Sequence, residues 1–260
     1  VGSEMCIRDS LGTSCNAFFC WGFKAMIDRR SKYGSSAKAF EVWKNHLVSM
    51  GYGYKLGVDL PGESRGYIPN AKVYDKYYSE GHWSANTIIS VAIGQGEILA
   101  TPLQIANLGA TIANRGYFIT PHVVKGIQDT VMDEKLLEKR YPTVEAHYYN
   151  AVADGMRTAV TGGTCRRAAI PGIEVCGKTG TAQNPHGKDH SAFMGFAPYK
   201  DPKIAVAVYV EGGGWGATFG VPIGSLVMEK YLTGTIAPER RYMEEQMLNM
   251  TLYYAAPKKK

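Results

Sequence analysis

The chain has 260 residues, 45% of them hydrophobic and 20% charged, which is enough for one large globular domain or two small ones. Lys and Arg number 29 against 23 Asp and Glu, and the +6 excess is spread along the chain apart from Lys258–Lys260. No dense basic stripe with interleaved aromatics argues for nucleic acid, and no apolar run is long enough to span a bilayer.

The five cysteines, Cys6, Cys15, Cys20, Cys165 and Cys176, form neither a CxxC pair nor a Cys/His set with zinc spacing. Buried free thiols are the expectation for most of them, and neither a metal nor a cofactor is expected. Residues 1–10 carry no periodicity and read as a translated, non-native remnant outside the fold. On that reading the chain begins within a longer gene product. A helix should run from about Asn16 to Ile27, and Ser14-Cys15-Asn16 before it has the composition of an N-cap. A second helix is expected over Ala37–Met50, with Phe40, Trp43 and Leu47 at helical spacing.

Gly51–Pro69 is turn-rich, and Gly94-Gln95-Gly96 closes an apolar, β-branched stretch from Thr87 to Ile93. Thr101 should cap a helix with Pro102 at its first position, ending near Asn114-Arg115-Gly116. Tyr117–Ile127 looks extended, and Thr143–Thr161 looks helical with Thr143 as its cap. Three strands then follow, around Lys178, at Ala192–Ala197 and at Ile204–Val210, joined by polar turns. A helix from about Pro222 to Leu232 comes next, and residues 235–260 read as a charged, Met-rich tail, either a helix or disorder. Helices, then antiparallel strands, then a closing helix define an α+β fold, an antiparallel sheet covered by helices.

The most informative stretch is Val175-Cys176-Gly177-Lys178-Thr179-Gly180-Thr181. Glycine packs nothing inside a strand, and its presence there often means that something must approach the backbone closely. Lys178 brings a positive charge, and Thr179 and Thr181 bring hydroxyls and backbone N–H groups. An edge strand of this kind can pair with an extended peptide and hold its anionic end. A Gly-rich strand with an ordinary surface lysine would also satisfy the tripeptide Lys178-Thr179-Gly180 taken alone.

Ser14-Cys15-Asn16, Gly94-Gln95-Gly96, Thr101-Pro102-Leu103-Gln104, Lys178-Thr179-Gly180-Thr181 and Phe193-Met194-Gly195-Phe196-Ala197-Pro198 occur in an order that is specific as a set. Together with Gly57–Glu63 they resemble the transpeptidase domain of class B penicillin-binding proteins, closest to the penicillin-binding protein 2 group of cell elongation. The likeness covers residues 11–234, as the C-terminal part of such a domain with its N-terminal part truncated.

That resemblance implies a penicillin-binding-protein/β-lactamase-like fold and a peptidoglycan D,D-transpeptidase. Ser14, Asn16 and Lys178 would be catalytic and would converge on one cleft, with the Lys178 ammonium within about 4 Å of the Ser14 hydroxyl. Thr179, Gly180 and Thr181 would bind substrate. The partners implied are peptidoglycan stem peptides, β-lactams and a membrane glycosyltransferase of the elongation machinery, at the periplasmic face of the inner membrane.

The nucleophilic Ser-x-x-Lys of the family precedes Ser-x-Asn, and none stands before Ser14 here. Ser35-Ser36-Ala37-Lys38 matches the spacing but follows Ser14, and Ser35 reads better as a helix cap. The fragment is therefore expected to be inactive alone. A β-lactamase or D,D-carboxypeptidase relative, or a non-enzymatic β-lactam-sensing domain, remain alternatives. His190 could face the site but reads better as surface or structural, and Trp215 as part of a loop at the site's edge or a flexible turn.

Overall fold

A computed structural model describes residues Ile7–Leu252. The helices are α1 (Ile7–Thr13), α2 (Asn16–Ile27), α3 (Arg30–Tyr33), α4 (Ser36–Ser49), α5 (Ala71–Tyr78), α6 (Pro102–Ala113), α7 (Tyr148–Thr161), α8 (Gly220–Thr233) and α9 (Arg241–Asn249). The strands are β1 (Phe118–Ile119), β2 (Lys139–Arg140), β3 (Cys176–Ala182), β4 (His190–Ala197) and β5 (Ile204–Val210). The chain divides into two compact units interleaved in sequence. Among the described residues the first comprises 7–14, 112–115 and 147–252, and the second 15–111 and 116–146.

The first unit carries the three-stranded antiparallel sheet, in the order β3-β4-β5. Its register places Lys178 opposite Met194 and Thr179 opposite Phe193. The core joins Ala159 and Val160 of α7, Phe193 and Ala197 of β4, and Val221 and Met228 of α8. Phe193 is the buried centre, and glycine makes its place. A Cβ on Gly177, Gly195 or Gly224 would lie 2.4–2.6 Å from the Phe193 ring. These glycines stand in strand and helix interiors, where glycine costs order, because the ring occupies the space that side chains would fill.

At its N-terminal end the unit extends further than the sequence suggests. Residues 7–10 are part of helix α1, which packs on α7, with Ser10 buried and Arg8 paired to Asp154 at 2.9 Å. Residues 1–6 of the stretch read as a remnant lie outside the described residues. At the other end, the charged tail takes the helical of the two forms the sequence allows, as α9. Arg240 is buried and pairs with buried Glu229 of α8 at 3.2 Å, while Glu229 also accepts from the Ala237 N–H at 3.1 Å. Opposite charges that solvate one another inside the fold are indistinguishable in composition from a solvated tail. Lys258–Lys260 lie outside the described residues.

The second unit is helical, with Phe23, Phe40, Tyr74 and Trp83 at the centre of its core. Its helix α6 opens on a reciprocal cap: the Gln104 N–H donates to Thr101 Oγ1 at 3.2 Å and the Thr101 N–H to Gln104 Oε1 at 3.0 Å. Helix α4 is capped by Ser35, whose Oγ accepts from the Lys38 N–H at 3.2 Å, so Ser35 serves as the cap that the sequence suggests. In the segment Gly57–Glu63, both acids staple backbone. Asp59 accepts from the Val123 and Val124 N–H groups, and Glu63 accepts from those of Leu56, Gly57 and Val58.

Two expected elements are shorter than their sequence suggests. Of Tyr117–Ile127 only Phe118–Ile119 is a strand, paired with Lys139–Arg140. Helix α7 starts at Tyr148 rather than Thr143, because the Thr143 hydroxyl is taken up by Ser49 Oγ at 3.0 Å and His46 Nδ1 at 2.7 Å.

Candidate active site

The site lies in the first unit, where the end of α1, the turn after α7 and strand β3 meet. Lys178 Nζ donates to Ser14 Oγ at 2.7 Å and to the Thr179 carbonyl at 2.9 Å. Burial pushes the Lys178 amine below the usual lysine range, since a low-dielectric setting disfavours the charged form. Ser14 sits at φ 55°, in the left-handed region that serine rarely enters. It does not cap α2: the cap residue is Cys15, with no side-chain cap bond. The serine hydroxyl is turned to the lysine instead, from a strained backbone of the sort that persists only when its surroundings hold it.

Strand β3 is the edge of its sheet. Thr179 Oγ1 donates to Thr164 Oγ1 at 3.1 Å, and Thr181 Oγ1 accepts from the Gly216 N–H at 3.3 Å. Gly216 lies close over the strand, since a Cβ there would stand 2.5 Å from the Gly180 carbonyl oxygen. The loop Gly212–Gly216 is held from β4. Ser191 Oγ donates towards the Trp215 and Gly216 carbonyls at 2.8 and 3.2 Å, and His190 Nδ1 accepts from the Gly212 N–H at 3.0 Å. His190 is thus a loop anchor, as its lone position suggests. Trp215 is 79% exposed on a loop pinned by its backbone.

Of the six candidate residues, Ser14 and Lys178 are in contact, and Thr179, Gly180 and Thr181 continue the same strand. Asn16 is the first residue of α2 in the second unit, and it is exposed. Thr164 was not legible as a site residue. Its only sequence signal is the turn Gly162-Gly163-Thr164 at the end of a helix. Cys165 and Cys176 are buried free thiols, pushed up to about 11 and about 12 by burial. Cys15 and Cys20 are also free and partly buried, and Cys6 lies outside the described residues. Among the described residues no cluster of His, Cys, Asp or Glu has the makings of a metal site.

The first unit is thus an α+β arrangement, an antiparallel sheet with helices packed on it, edged by a Lys-Thr-Gly strand. The family model described as penicillin binding protein transpeptidase domain matches residues 1–229. The peptidoglycan D,D-transpeptidase MrdA of Haemophilus influenzae is 32% identical over 219 residues, which is 76% of this chain and 34% of that protein. The crystal structure of Pseudomonas aeruginosa PBP2 in complex with WCK 5153 superposes with a TM-score of 0.71 at 30% identity, covering 91% of this chain and 52% of that one. A chain of a peptidoglycan synthase complex, described as coordinating polymerization and crosslinking, gives a TM-score of 0.69 at 28% identity, covering 90% and 38%. The chain therefore belongs to the penicillin-binding-protein transpeptidase domain family, in its class B, penicillin-binding protein 2 type. It spans about a third of the length of the curated relatives it matches.

Proposed function

We propose that this chain is the carboxylate-binding and proton-relaying part of a peptidoglycan D,D-transpeptidase, which cross-links stem peptides ending in D-Ala-D-Ala. The observation that carries the reading is the 2.7 Å contact between Lys178 Nζ and Ser14 Oγ beside an edge strand lined with threonines. Lys178 holds its proton less tightly than an exposed lysine, which suits a group that passes a proton through the Ser14 hydroxyl to a leaving amine. Thr179 and Thr181 hold the terminal carboxylate, and β3 offers its edge to the extended peptide. The Thr181 N–H supplies one donor of the oxyanion hole, a kind of contact worth about 3 kcal/mol in a serine hydrolase. The acyl-forming serine and its lysine base belong to a Ser-x-x-Lys that no residue before Ser14 provides, so this chain by itself binds substrate without forming an acyl-enzyme. β-Lactams, as mimics of the same peptide end, are ligands of the complete site.

The working protein acts at the periplasmic face of the cytoplasmic membrane, with a glycosyltransferase of the elongation machinery as partner. Support for the partner comes from the likeness to a synthase complex that couples polymerization and crosslinking. Among the described residues no helix is long and apolar enough to cross a membrane.

The test is an NMR titration of the 15N-labelled chain with an acylated D-Ala-D-Ala peptide and with its C-terminal amide. The free acid should shift the Lys178–Thr181 amides and bind more tightly than the amide. Equal binding of the two would remove the carboxylate site and the reading with it.

A further inference from the structure

We propose that Thr164 is a positioning residue for the carboxylate end of the site, holding the Thr179 hydroxyl in place at the β3 edge; this rests on the reading of Thr179 given above. Thr164 follows the Gly162-Gly163 turn at the end of α7 and touches both halves of the site. Its backbone N–H donates to the Gly12 carbonyl at 3.2 Å, two residues before Ser14. Its hydroxyl accepts from Thr179 Oγ1 at 3.1 Å.

The turn is clamped where it stands. The Gly163 and Cys165 N–H groups both donate to the Ala159 carbonyl, at 3.1 and 2.9 Å. A Cβ on Gly163 would lie 2.0 Å from the Gly12 carbonyl oxygen, so only glycine lets the two backbones come this close. Cys165 behind it is fully buried. Thr164 is thus an exposed side chain on a fixed backbone, with its hydroxyl against that of Thr179.

Hydroxyl protons rotate to suit their partners, and each hydroxyl both donates and accepts. Without a carboxylate, Thr164 accepts a hydrogen bond from the Thr179 hydroxyl. When a carboxylate arrives, it is the stronger acceptor and Thr179 donates to it instead. Thr164 then turns its own proton onto the Thr179 oxygen. One neutral hydrogen bond is kept throughout, and the Thr179 rotamer is the same with and without ligand. The consequence is selectivity for a free carboxylate over a neutral end.

The experiment titrates the 260-residue chain and its variants with the acylated D-Ala-D-Ala acid and its C-terminal amide, reading the ratio of the two Kd values. Thr164→Val keeps the shape and deletes the hydroxyl. It should lower the acid-over-amide preference about fivefold, the order of one neutral hydrogen bond. Thr164→Ser should restore the preference. Combined with Thr179→Val, Thr164→Val should have no further effect. A wild-type preference that survives intact in Thr164→Val overturns the role of Thr164 and leaves the carboxylate site standing. A wild-type chain with no preference overturns both. If the valine variant does not fold, Thr164→Ala is read in the same way. Independently of any variant, three-bond couplings in the wild-type chain should report one Thr179 χ1 rotamer with and without the acid; rotamer averaging in the free chain overturns the proposal.

Discussion

Lys178 and Ser14 are 164 residues apart in sequence and are joined by a hydrogen bond of 2.7 Å. Each is held in an unfavourable state by the fold, the lysine by burial and the serine by its left-handed backbone. Both can be tested by stability measurements that need no substrate.

Burial lowers the Lys178 pKa below its value of 10.5 in the unfolded chain. Between the two values the unfolded state binds more protons than the folded one, so the lysine makes stability rise with pH in that window. The cost of burying the ammonium is fully present below the folded-state value and is relieved as pH climbs through it towards 10.5. Subtracting the stability curve of Lys178→Met from that of the wild type should isolate this rise. A flat difference between pH 7 and 10.5 would show that the half-buried lysine is solvated after all.

At Ser14, glycine and alanine both remove the hydroxyl, but only glycine tolerates φ 55° without strain. Urea unfolding should therefore find Ser14→Gly more stable than Ser14→Ala by about 1 kcal/mol. Equal stabilities would mean that the left-handed backbone is not maintained.

The space around Phe193 makes a sharper claim. An added methyl at Gly195 would meet the ring at 2.6 Å and the Cys176 carbonyl at 2.9 Å, so neither strand backbone nor ring has room to yield. Gly195→Ala should cost about 1–3 kcal/mol by overpacking. Gly195→Ala combined with Phe193→Leu should recover part of that loss. Additive losses in the double variant would show that the ring is not what excludes the methyl.

The parts of this molecule that the sequence announces are those decided locally. Helix α2 runs from Asn16 to Ile27 as its apolar run suggests, and β5 occupies Ile204–Val210, bounded by its turn residues. Helix α6 likewise opens at Pro102, where Thr101 and Gln104 cap each other. Sequence fails where a distant partner decides. Thr143 has the composition of a cap, yet its hydroxyl is engaged by Ser49, 94 residues away, and α7 starts later. Thr164 is an unremarkable turn residue until the fold brings Thr179 within 3.1 Å of it. The site followed the same rule. Lys178-Thr179-Gly180-Thr181 was legible as a strand with chemistry, whereas the left-handed turn that points Ser14 at Lys178 leaves no mark in composition.

The docking of α9 depends on two charges with almost no water. Glu229 and Arg240 are 2% and 6% exposed, and the guanidinium also donates to Ser225 Oγ. Removing one partner leaves the other charge buried and unpaired, which typically costs about 3–5 kcal/mol. Glu229→Ala should lose that much and should raise amide hydrogen exchange along Arg241–Asn249. The double variant Glu229→Leu with Arg240→Met should be close to wild type. Unchanged exchange in Glu229→Ala would mean that α9 is held by its apolar face, through Met243, instead.

Ser35-Ser36-Ala37-Lys38 has the spacing of a nucleophile and its base, and the chain offers a direct test of whether spacing is enough. Ser35 Oγ accepts the Lys38 backbone N–H at 3.2 Å, as the cap of α4. The Lys38 side chain is exposed and therefore lacks the dry setting that makes a lysine a competent base. Ser14 and Lys178 relay a proton in the proposed mechanism, but neither is the acyl acceptor. Incubation of the chain with a fluorescent penicillin should leave it without covalent label, while the acid peptide still shifts Lys178–Thr181. Stoichiometric label at Ser35 in a tryptic digest would make that serine the nucleophile and overturn the assignment of α4 as an ordinary capped helix.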